Sequence, residues 1–203
     1  MQKCPDRDEE RRAIMAAAYG CLSEPHSGPI PVSAILRSAG MSTRAFYKHF
    51  GSKDELFLAL LQEECDAVAA RVNRIAEEAV GSPAHQLAAW IGEMFDVVFD
   101  PIHLIQLTVI DSDEVRMAKG GYRETRECAH ADRERSLVEI LRRGQADGSF
   151  PLTDPDADAV AISAVVSRVM INSTPPDDLQ RLKQEQARVL DFALRAVGAV
   201  PPA

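Results

Sequence analysis

Apolar residues recur along this chain at the spacing of one helical face after another. Ile14, Ala17, Ala18, Cys21 and Leu22 predict a first helix over about residues 11–22, behind a polar, frayed start at residues 1–10. Residues 23–29 have the composition of a loop. Val32, Ile35, Leu36 and Ala39 predict a second helix, and Pro31 is compatible with its first turn. Gly40 supplies the positive-φ residue that ends it, and Ser42 is a good N-cap for a third helix over about residues 43–50. On that helix Phe46 and Phe50 share one face, while Thr43, Arg44, Tyr47 and Lys48 share another. Ser52-Lys53-Asp54-Glu55 has the S-x-x-E capping pattern and starts a fourth helix at once. Its inward stripe of Leu56, Leu60, Leu61, Cys65, Val68, Ala69, Val72 and Ile75 carries it to about Val80.

The remainder is punctuated as clearly. Gly81-Ser82-Pro83 closes one helix and opens a fifth, with Leu87, Trp90, Ile91, Met94, Phe95 and Val98 on one wide face. Asp100-Pro101 breaks it, and residues 101–110 predict a short buried helix in the body. A polar stretch ends at Gly120-Gly121. A charged helix over residues 122–147 then turns Ala131, Leu137, Ile140 and Leu141 inward and stops at Gly148. Thr153-Asp154-Pro155 opens a helix that is apolar on almost every side between residues 157 and 170, which predicts burial on most faces. Thr174-Pro175-Pro176 stops it. A last helix over residues 177–197 buries Leu179, Leu182, Val189, Leu190, Ala193 and Val197. The expected fold is all-α with nine helices: a three-helix head, a linking fourth helix and a five-helix body.

Composition agrees, since aromatics are only 5% of the 203 residues and sheets favour them. No segment has the roughly 18 uninterrupted apolar residues of a membrane span, and the start lacks a signal-peptide core. A cytoplasmic protein without a membrane segment is expected. Cys4, Cys21, Cys65 and Cys128 lack metal-ligand spacing and are expected as reduced thiols, with no metal and no cofactor. Net charge is −8, which by itself argues against nucleic acid. Its distribution does not. Residues 11–53 carry Arg11, Arg12, Arg37, Arg44, Lys48 and Lys53 against Glu24 alone, a net +5 on an otherwise acidic chain. Such a head is oriented toward DNA by the field of the phosphates.

Two helices joined by a glycine turn, the second with polar groups in front and phenylalanines behind, form the pattern of a helix-turn-helix. The residues there also resemble a known signature. Tyr47, His49, Phe50, Ser52, Lys53 and Leu56 after Ala39-Gly40-Met41-Ser42, with Ile14, Met15, Ala17 and Ala18 upstream, look like the TetR/AcrR family of bacterial transcriptional regulators. The likeness runs from about Arg11 to Leu61. It implies a DNA-binding domain over residues 1–56 and an effector-binding and dimerisation domain over residues 57–203. It further implies a homodimer held by a four-helix bundle from the last two helices, a palindromic double-stranded DNA operator, and release by a small, mainly apolar effector. Repression is that family's usual sign. Pro31 departs from the pattern, where a threonine is usual, and Ser33 is the available substitute for the phosphate contact.

On this resemblance the expected DNA contacts are Ser33, Ser42, Thr43, Arg44, Tyr47, Lys48, His49 and Lys53. Arg44 suits base readout at guanine, because a guanidinium matches the O6/N7 pair, and Thr43 suits a base edge or thymine methyl. Tyr47, His49 and Lys53 match positions that grip phosphate. Ser33 and Ser42 stand at helix N-termini, and Lys48 suits base or phosphate. For His49, packing against Phe50 or capping a helix is an equal alternative. The expected effector pocket draws on Trp90, Met94, Phe95, Phe99, His103, Gln106 and Arg116, although such an aromatic and methionine stripe is also what plain core looks like. No G-x-S-x-G, Walker or H-E-x-x-H motif occurs, so no catalytic residue is expected. The rival functions are an effector-independent architectural DNA-binding protein and an activator.

Overall fold

The computed structural model describes residues 7–99, 101–172 and 179–199. Among these, all regular structure is helical: α1 (Arg7–Ser23), α2 (Val32–Ala39), α3 (Thr43–His49), α4 (Lys53–Glu78), α5 (Pro83–Phe99), α6 (Pro101–Ile110), α7 (Asp113–Arg116), α8 (Tyr122–Asp147), α9 (Pro155–Asn172) and α10 (Leu179–Ala196). That is one more than expected. The addition is α7, four residues long and too short for a periodic signal. α1 starts four residues before the expected start at Arg11, because Asp8, Glu9 and Glu10 in its first turn complement the helix dipole. α4 ends at Glu78 with Ala79 in the left-handed region at φ 49°, ahead of the glycine expected to stop it. The expected break at Asp100 and the stop at residues 174–176 lie outside the described residues.

The chain divides into two compact units. The first comprises residues up to Glu64 together with Ile105–Thr125, and the second Cys65–Leu104 together with the residues from Arg126 onward. In the first, Ile14, Met15, Ala18 and Leu22 of α1 pack with Ile35 and Leu36 of α2, Phe46 of α3, Phe50, and Leu56, Phe57 and Leu60 of α4. Val109, Val115 and Ala118 join the same core. Full burial of a Leu, Ile or Phe side chain contributes roughly 1.5–3 kcal/mol, so this cluster is what holds the short α3 in place.

In the second unit Leu87, Trp90, Ile91, Met94 and Phe95 of α5 are buried as expected. On α8 the buried stripe is Ala129, Arg133, Ser136, Leu137, Ile140, Leu141 and Gly144. Ala131, expected inside, is exposed, because the inward line runs through Arg133 and Ser136, polar residues that an apolar pattern passes over. Gly144 is required by a close approach: a Cβ there would lie 2.1 Å from Cδ2 of Phe150. α9 buries Ala159, Ile162, Ser163 and Val166 but exposes Ala157, Val160, Ala161 and Ala164 on another face, so burial on most faces does not hold within one chain. Leu179, also expected inside, is 53% exposed at the start of α10.

Candidate nucleic-acid interface

α2 and α3 meet through a turn fixed by local chemistry. Gly40 adopts φ 64° and ψ 29°, its N–H donates to Arg37 O at 3.3 Å, and Met41 N donates to Leu36 O at 2.9 Å. These two bonds are the paired closure of a Schellman motif, and they satisfy carbonyls that the end of α2 would leave open. One residue later Ser42 Oγ accepts from Ala45 N at 3.2 Å and caps α3. At the far end Ser52 Oγ accepts from Glu55 N at 3.0 Å, while Glu55 reaches back to Gly51 N at 2.7 Å. The reciprocal bond of the capping pattern therefore falls on the residue before the cap.

α3 is thus held at both ends and from behind. Phe46 and Phe50 are buried, with ring centroids 5.7 Å apart. Thr43, Arg44, Tyr47 and Lys48 are exposed on the opposite face. Tyr47 is 63% exposed and meets the Phe46 ring edge-on at 5.3 Å. Ser33 is exposed in the first turn of α2. Ser42 spends its oxygen on the cap but keeps its O–H to donate.

The remaining cations of the set are partnered. Glu10 on α1 accepts from Lys48 Nζ at 2.7 Å and contacts His49 Nε2 at 2.9 Å. The hydrogen bond from Lys48, then that from His49, hold the Glu10 carboxyl below its ordinary pKa. The His49 side chain is only 1% exposed, so it reaches a phosphate only if Glu10 moves aside. Lys53 Nζ donates to Ile30 O at 3.0 Å and Glu114 Oε2 at 2.9 Å, and lies 5.1 Å from the Phe57 ring centre. Glu114 on α7 also accepts from Ile30 N at 2.9 and 3.1 Å and meets His26 Nε2 at 3.2 Å. Neither glutamate carries a sequence signal, since each acts across tens of residues. Arg44 makes no ion pair among the described residues.

The expected effector residues fall in both units. Trp90, Met94 and Phe95 are buried in the second, with Trp90 Nε1 donating to Ser136 Oγ at 3.1 Å. Phe99 and His103 are half-buried there. Gln106 and Arg116 belong to the first unit, where Gln106 Oε1 is buried without a partner and Arg116 is exposed. Nothing in these residues supplies a nucleophile and base in hydrogen-bond reach. Among the described residues no helix is long and apolar enough to cross a membrane.

A glycine-closed turn and a capped reader helix with an exposed polar face define a helix-turn-helix DNA-binding protein. Residues 14–60 match the family model described as "Bacterial regulatory proteins, tetR family". The HTH-type transcriptional repressor Rv1474c of Mycobacterium tuberculosis is 27% identical over 187 residues, 92% of each chain. Among solved structures, a SmeT–triclosan complex superposes with a TM-score of 0.76 at 22% identity, covering 96% of this chain and 98% of that one. FadR of Bacillus subtilis, in complex with stearoyl-CoA, superposes with a TM-score of 0.72 at 19% identity, covering 91% and 98%. These matches support a TetR-family transcriptional regulator, with the family's own signature carried by residues 14–60.

Proposed function

We propose that this protein is a ligand-responsive repressor that binds a two-fold operator as a homodimer. The observation that carries the reading is the exposed face of α3, Thr43, Arg44, Tyr47 and Lys48, fixed by the Ser42 cap and the two buried phenylalanines. Seven residues read too few base pairs alone. Two copies on a two-fold axis read half-sites about 34 Å apart or a multiple of it. The exposed small-residue face of α9 supports a second copy, because Ala157, Val160, Ala161 and Ala164 recur at the spacing of one helical stripe and permit close helix packing.

Arg44 and Thr43 read bases. Ser33, Ser42 and Tyr47 bind phosphates, and Lys48, His49 and Lys53 join them by exchanging their glutamate partners for phosphate. Residues 1–56 are the reader, and residues 57–203 bind effector and partner. A cytoplasmic location follows from this role. The triclosan and stearoyl-CoA complexes of SmeT and FadR support a small-molecule effector, drawing on Trp90, Met94, Phe95, Phe99 and His103 of the second unit. Effector and DNA favour different conformations, so each weakens the other's binding by the same factor. Selection from a pool of random duplex DNA tests the reading. A palindromic sequence should be enriched, and a pool that stays random after repeated rounds would refute it.

A further inference from the structure

Arg133 is an anomaly in the second unit. It lies on the inward face of α8 and is 9% exposed. Its Nη2 lies 2.9 Å from Nδ1 of His130, and its Nε is buried with no partner. A guanidinium has five N–H donors and does not lose its proton in a protein. Since Nδ1 of His130 must accept that bond, the imidazole is neutral there and offers no charge in return. Asp132 and Glu134 flank Arg133 at adjacent positions, which point to other faces of the helix, and Asp132 is paired with Arg135 at 2.9 Å. Arg126, seven residues earlier on α8, adds positive potential. Burying a guanidinium without a carboxylate is strongly unfavourable, and packed apolar residues would serve the fold as well or better. Nearby, the Ser136 hydroxyl donates to Arg133 O at 2.8 Å and accepts from Trp90 Nε1, which ties the apolar face of α5 to the same spot.

We infer that Arg133 is the anchor for an anionic group of the effector, which is therefore an amphipathic anion whose apolar part lies against Trp90, Met94 and Phe95. This rests on the ligand-responsive reading above and narrows its ligand from mainly apolar to apolar with one carboxylate, sulfonate or phosphate. A charge-assisted, two-pronged bond to Nε and a terminal nitrogen satisfies the donor the protein leaves open.

The test uses two fluorescent probes with one aromatic skeleton: 1-anilinonaphthalene-8-sulfonate and its uncharged counterpart N-phenyl-1-naphthylamine. Both are titrated into the full-length protein and into Arg133→Met. The expected result is a loss of about thirtyfold or more in affinity for the sulfonate, with the uncharged probe bound as before. Should the methionine variant not fold, Arg133→Lys keeps the charge but not the fork, and should still lower the sulfonate-to-neutral affinity ratio. An unchanged ratio in the folded variant overturns the anion anchor while leaving a ligand site in place. If the wild-type protein binds neither probe, the ligand-responsive reading falls with it. A thermal midpoint that drops on Arg133→Met with probe ratios unchanged would make the residue structural and also overturns the inference.

Discussion

Glu10 contacts Lys48 and His49 at 2.7 and 2.9 Å, and in the proposed DNA complex a phosphate takes its place. Glu10→Gln should therefore tighten binding to every duplex, with the gain shrinking as salt rises, in an anisotropy titration at two ionic strengths. Unchanged affinity would mean that Lys48 and His49 do not meet the backbone. A second titrating residue acts on stability. Burial first, then Arg133 and Arg126, lower the His130 pKa from 6.5 to about 4. The unfolded chain binds that proton more readily, so this contribution is complete above pH 6.5 and declines as pH falls toward 4. Urea midpoints across that window should fall less steeply in His130→Gln than in wild type. At this scale the sequence was legible where chemistry is local. Gly40, Ser42 and Ser52 act on neighbours within a few residues. Glu10, Glu114 and Arg133 were not, because their meaning depends on groups brought together by folding or on a missing partner.

Helices with a clean apolar stripe and punctuated ends were readable from sequence: α2, α3 and α5 begin and end close to where pattern and caps put them. α7 and the inward line of α8 were not, one for lack of length and the other because its stripe includes Arg133 and Ser136. α7 matters beyond its four residues. Its Glu114 binds the Ile30 backbone and the Lys53 ammonium, pinning the loop before α2 to the start of α4 within the first unit. Glu114→Ala leaves the Ile30 N–H and Lys53 without this acceptor and should cost about 1–3 kcal/mol, read from urea unfolding. A loss within error of zero would show that water replaces the carboxylate freely.

For the whole molecule, fold class and the exposed polar face of α3 were legible because both follow from periodicity and a short motif. What the second unit binds was less so, since an aromatic stripe looks the same as core or pocket wall. In the proposed homodimer the exposed stripe on α9 is the two-fold contact. Val160→Glu places a charge in the middle of it and should give a folded monomer by sedimentation, with helical content unchanged. A dimer that persists would put the two-fold contact elsewhere.

That the exposed face of α3 reads duplex DNA is tested by titrating Arg44→Ala against the selected operator and against variants at each base pair. A loss of about 1–3 kcal/mol on the selected sequence and relaxed preference at one base pair per half-site are expected. An alanine variant that binds the operator and its variants with wild-type affinity and wild-type preference would contradict that role for α3.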